Sequence, residues 1–140
     1  MGLRSGKETT GTFAGSKSPE FVERCRRFFL HQLEVQRPSL VLALGGHVPL
    51  FLAPLSAQLS EWAELDNFAA RDKADISLMA DVQFGASDRH RCVVASLIHP
   101  SFRPRNVGAR RWKQYTGAEA ELEMVRHAMI LAACKLPGGT

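Results

Sequence analysis

The residues best suited to chemistry stand together in His99-Pro100-Ser101, after the apolar run Arg91-Cys92-Val93-Val94-Ala95-Ser96-Leu97-Ile98. That run reads as a buried strand, and its carboxyl end is where open α/β sheets bind ligands. The next segment, Phe102 to Lys113, carries Arg103, Arg105, Arg110, Arg111 and Lys113, two aromatics and no acid. Cations neutralise phosphates and flat apolar faces stack on bases. A nucleic-acid site from His99 to Lys113 is therefore the leading idea.

The charge is concentrated in this region. Between Asp88 and Glu119 there are seven Lys or Arg and no acid, whereas the whole chain holds 18 basic and 14 acidic residues. The remainder carries 11 against 14, so the positive field is local.

A chain of 140 residues, 45% of them hydrophobic, suffices for one domain with a core. No apolar run approaches the roughly 20 residues of a membrane span, and no charged-then-apolar leader opens the sequence. The expectation is a cytoplasmic protein without a membrane partner. Cys25, Cys92 and Cys134 are odd in number and far apart, which suits buried thiols better than disulfides or cluster ligands. The five histidines lack the close spacing of a zinc site. Neither a metal nor a small-molecule cofactor is expected.

The elements that position the loop follow from pattern. Residues 1–17 read as a Gly/Thr-rich loop. Ser18 caps a helix with Pro19 in its first turn, and Phe21, Val22, Cys25, Phe28, Phe29 and Leu33 form its core face until Arg37-Pro38 stops it. Ser39 to Leu44 is continuously apolar and suits a central parallel strand covered on both faces. Gly45-Gly46 then turns the chain into a helix begun by Val48-Pro49; such a turn near the site places backbone N–H groups close to an anion, although a plain tight turn is its commoner role. From Ala53 to Lys73 the pattern is irregular, with a short helix around Leu55 to Leu65. Asp81 to Phe84 is a short strand paired with Arg91 to Ile98 across a turn at Gly85 to His90, while Ile76 to Ala80 fits either state. Thr116-Gly117-Ala118-Glu119 is a capping box opening a last helix, with Ala118, Leu122, Val125, Met129 and Ala132 on one face. Residues 137–140 form a tail.

So apolar a strand as Leu40 to Leu44 needs neighbours on both sides, and too few strands are available. The expected fold is an α/β three-layer sandwich with a mostly parallel sheet, incomplete at its N-terminal side. Residues 18–136 would be the C-terminal portion of a larger domain.

On these residues the chain resembles the uracil-DNA glycosylase superfamily. Phe21 to Leu52, with its helix, Arg37-Pro38, apolar strand and Leu44-Gly45-Gly46 turn, is similar to the second half of that fold. Ile98-His99-Pro100-Ser101 looks like its His-Pro-Ser motif. Asn106, Arg110-Arg111 and Ala118-Glu119 resemble its bacterial uracil-DNA glycosylase-like branch, and the likeness spans roughly Gly2 to Ala133. The resemblance implies a DNA-repair N-glycosidase acting on uracil or a related base. His99 would donate a hydrogen bond to an oxygen of the flipped-out base, where charge grows as the glycosidic bond breaks. Ser101 would grip a neighbouring phosphate, and Phe102 or Arg103 would fill the gap in the stack. The family's Gly-rich first motif, which handles the attacking water, its base-stacking aromatic and its base-reading Asn have no counterpart here. Branches with an iron–sulfur cluster need four cysteines. The chain alone is accordingly expected to be inactive. A non-catalytic nucleic-acid-binding or partner-dependent fragment is the alternative, followed by a small nucleotide-binding module using Gly45-Gly46.

Overall fold

The computed structural model describes residues 15–85 and 89–135. They form two compact units that divide between Gln36 and Arg37. The expected loop at residues 1–17 lies outside the described residues except at its end, as do the turn residues 86–88 and the tail.

The first unit contains α1 (Pro19–Gln36). Gly15 has φ +91, its carbonyl accepts from Ser18 N at 2.9 Å, and Ser18 Oγ accepts from Phe21 N at 3.4 Å. Ser18 therefore caps the helix as its side chain predicts. The expected core face is uneven: Leu33 is buried but Phe28 is 63% exposed.

The second unit is built on a three-stranded sheet of β1 (Leu40–Leu44), β2 (Leu78–Gln83) and β3 (Arg91–Leu97), in the order β1-β3-β2. β1 runs parallel to β3, and β2 antiparallel to it. Over these strands the sheet is thus mixed rather than mostly parallel. It is β3, not β1, that occupies the centre. Cys92, Val93, Val94, Ala95, Ser96 and Leu97 are all buried, whereas Leu42 and Leu44 on β1 are 43% and 40% exposed. Continuous apolarity in β1 is therefore not a sign of cover on both faces. β2 begins at Leu78, so the ambiguous stretch from Ile76 to Ala80 is strand only from Leu78 onward, and its register slips between Met79 and Val82. Asp81 sits in that bulge with φ 57, a conformation Asp tolerates better than most residues.

Val93, Ala95 and Leu97 point to one face, where they meet α5 (Gly117–Lys135) through Ala120, Met124, Ala128 and Ala132. The predicted face of this helix holds in part: Ala132 is buried and Val125 packs against the core, but Leu122 and Met129 are 49% and 58% exposed. Small residues make the true contact stripe because they let the helix lie close to the strand. Between the strands lie α2 (Val48–Leu52), two 3-10 segments (Ala53–Leu55 and Ala57–Ala63) and α3 (Phe68–Lys73). α2 touches β1 and the second 3-10 segment touches β2, with Leu52, Leu59 and Trp62 buried. Trp62 Nε1 donates to Ile76 O at 2.8 Å. Asn67 Oδ1 accepts from Ala70 N at 2.8 Å and caps α3. Of the cysteines only Cys92 is buried; Cys25 is partly covered and Cys134 exposed, the latter against expectation. No described helix is long and apolar enough to cross a membrane.

Candidate nucleic-acid interface

Parallel pairing brings the carboxyl ends of β1 and β3 side by side, with Leu44 opposite Leu97. Gly45 N donates to Leu97 O at 2.8 Å, which seats the glycine turn against the strand that leads into His99. Gly45 has φ +102, and a Cβ there would stand 3.5 Å from His99 Cβ. Glycine is required by the backbone more than by space. Gly46 has open room around it.

His99 is exposed, and its Nδ1 accepts from Ser101 N at 3.2 Å. An accepting Nδ1 carries no proton, so the neutral ring holds its hydrogen on Nε2. Pro100–Phe102 winds into a 3-10 turn in which Phe102 N donates to His99 O at 2.9 Å, and the Phe102 ring stands tilted 6.2 Å from the imidazole. Ser101 is exposed beside them.

The stretch after Phe102 is not the open loop its composition suggests. It folds into α4 (Arg103–Asn106), a 3-10 turn at Val107–Ala109, and a hairpin of β4 (Arg111–Trp112) and β5 (Tyr115–Thr116) with Lys113 at φ 52 in its turn. This folding separates the five cations. Arg105, Arg111 and Lys113 are exposed. Arg103 pairs with Glu121 and keeps 42% side-chain exposure.

Arg110 is the residue that departs from its expected place on the DNA. Its side chain is 1% exposed, with Nε and Nη2 each 2.9 Å from the two Asp72 oxygens and Nη1 3.0 Å from Glu121 Oε1. Ser96 O accepts from it as well, at 3.1 Å. Asp72 also accepts from Arg111 N at 2.9 Å. A guanidinium so enclosed offers no donor to a phosphate; it binds β3, α3 and α5 together. Its Cζ lies 4.8 Å over the Phe68 ring centroid, and Arg71 Cζ lies 5.0 Å over the same ring. Arg71 is fully buried and donates to Leu65 O at 2.7 Å, while its Nε and Nη2 find no partner among the described residues. Burial, followed by the repulsion of Arg110, lowers the Arg71 pKa against the raising influence of Asp72 and Asp66.

Residues beyond the loop meet its hairpin, and they include the acid Glu123 as well as Arg126. Trp112 stacks with Tyr115 at 6.5 Å and 15° and meets His127 at 5.4 Å, and Lys113 Nζ lies 4.5 Å over its ring. Lys113, Tyr115, Arg126, His127 and Ile130 line a shallow hollow of 270 Å³ next to Trp112. Arg126 is held by an ion pair with Glu123. The signal in the sequence was the spacing Glu123, Arg126, His127, Ile130, one side of a helix. Its significance needed the hairpin opposite.

No protein-family model, no curated protein and no solved structure matches this chain.

Proposed function

We propose that this chain is a DNA-binding portion of a uracil-DNA glycosylase-like protein, working in the cytoplasm on a three-layer α/β frame. The observation that carries the reading is the posture of His99. It stands exposed at the carboxyl edge of two parallel strands, beside the Gly45 turn, with Nδ1 accepting from Ser101 N, which leaves the hydrogen of the neutral ring on Nε2. A neutral imidazole so held is a ready donor to an oxygen that gains charge as a glycosidic bond breaks, a contribution of about 10²–10³ in rate. Ser101 and the exposed Arg105, Arg111 and Lys113 supply phosphate contacts, with Phe102 next to the base.

A specific observation favours a partner-dependent form of this function. Asp72 and Glu121, the carboxylates tied to the loop, are 1% and 3% exposed and engaged by arginines. Neither is placed to activate water. The chain by itself should therefore bind DNA with a dissociation constant of about 10⁻⁴–10⁻⁶ M, weakened steeply by salt, and should release no free uracil. Fluorescence anisotropy of a labelled oligonucleotide and a uracil-release assay test the two halves. Salt-independent binding, or none, would refute the nucleic-acid reading; turnover by the isolated chain would refute the dependence on a partner.

A further inference from the structure

We infer that Glu121 is a positioning residue for His99, acting as a clamp on both ends of the His99-Pro100-Ser101-Phe102 turn. One oxygen, Oε1, accepts from Ile98 N at 2.8 Å; the other, Oε2, accepts from Arg103. Ile98 immediately precedes the turn and Arg103 immediately follows it. The glycosylase-like reading gives His99 its role, but the clamp itself rests on these contacts.

The ladder of β3 explains why a carboxylate is needed at this point. Leu97 O already receives Gly45 N, and at Ile98 the strand has ended. Its amide is buried with a 4% exposed residue, and a buried N–H requires an acceptor. Glu121 provides one from the second turn of α5. Its charge would be costly in that setting were it alone. Arg110, itself locked on Asp72, and Arg103 compensate it. The helix, the end of the strand and the start of α4 are thereby fixed to one group, and the turn between them has little freedom to reorient. The Ser101 N to His99 Nδ1 contact, which selects the Nε2–H form, lies within that turn. Loosening either end should free the ring to exchange tautomers.

The test is nitrogen NMR of the full chain with labelled histidines, the His99 signal among the five being identified by its loss in His99→Gln. At a pH where the imidazole is neutral, the wild-type His99 should be almost wholly the Nε2–H tautomer. In Glu121→Gln, which keeps an acceptor for Ile98 N but loses the charge that holds Arg103, the preference should fall about fivefold, the worth of one ordinary hydrogen bond. Arg103→Gln should shift it in the same direction, and Arg103→Lys should restore part of it. A merely structural glutamate would alter stability and leave the tautomer ratio unchanged. An unchanged His99 signal in the folded variants overturns the proposal, as does a wild-type signal of the Nδ1–H form. Should Glu121→Gln fail to fold, Arg103→Gln decides the matter, because Arg103 is 42% exposed and its removal leaves the Arg110–Glu121 pair in place. Anisotropy with DNA on the wild type is the separate arm: a tautomer shift without DNA binding would keep the clamp and remove the nucleic-acid reading.

Discussion

Arg71 and Arg110 lie against one phenylalanine, both sealed from water, in opposite electrostatic situations. Arg110 has two carboxylates and a carbonyl around its five N–H groups. Arg71 has a single carbonyl at 2.7 Å and two nitrogens without partners among the described residues. The stacking on Phe68 is nearly equal, at 5.0 and 4.8 Å, so the ring does not distinguish them. What separates them is neutralisation of charge. The α3 side of the site carries a buried cation that its surroundings disfavour, whereas the α5 side carries one that its surroundings require.

Replacing each by methionine sharpens this contrast. Arg110→Met leaves Asp72 and Glu121 buried without their shared cation, and removing one partner of a buried pair costs about 3–5 kcal/mol. Urea unfolding should show that loss; one below about 1 kcal/mol would mean that the ion cluster does not hold the fold. Arg71→Met should have the opposite sign, a gain of about 1–3 kcal/mol from deleting unsatisfied buried donors while keeping the volume. The pH behaviour follows the same logic. Folding lowers the Arg71 pKa, so the unfolded chain keeps its proton to higher pH. The penalty is fully present throughout the neutral range and is relieved only as alkaline pH passes through the lowered value. If Arg71→Met destabilises as much as Arg110→Met, the contrast between the two fails.

The same contrast marks how far the sequence could be read. Local features were legible because their causes are local: the Ser18 cap, the Gly45 turn, the antiparallel pairing of β2 with β3, and the last helix from Gly117. His99 at a strand end was legible too, since an apolar run and a Pro stop are enough to place it. Arg110 was not. Its partners Asp72 and Glu121 are 38 and 11 residues away, and nothing in an arginine-rich stretch says which member turns inward. The central position of β3 and part of the inward face of α5 were missed for a related reason. Leu42, Leu44, Leu122 and Met129 are more apolar than Ala120 and Ala128, but the alanines permit the close approach that determines the packing. Hydrophobicity alone gives which residues favour burial, and tertiary geometry decides which of them obtain it.

The arginines that face outward allow one further separation. If DNA binds by phosphate contacts, Arg105→Ala, Arg111→Ala and Lys113→Ala should each flatten the plot of log affinity against log salt by about one unit. Arg71→Met deletes the same formal charge from a fully buried site and should leave the slope unchanged. It is a better control than Arg110→Met because it is not expected to unfold the chain. Arg103→Ala should fall between, since Glu121 already engages its guanidinium. Titrations of a labelled oligonucleotide at several salt concentrations measure all five. Equal slopes for the surface and buried variants would mean that net charge alone attracts the DNA, and that the stretch from Arg105 to Lys113 is an ordinary solvated surface.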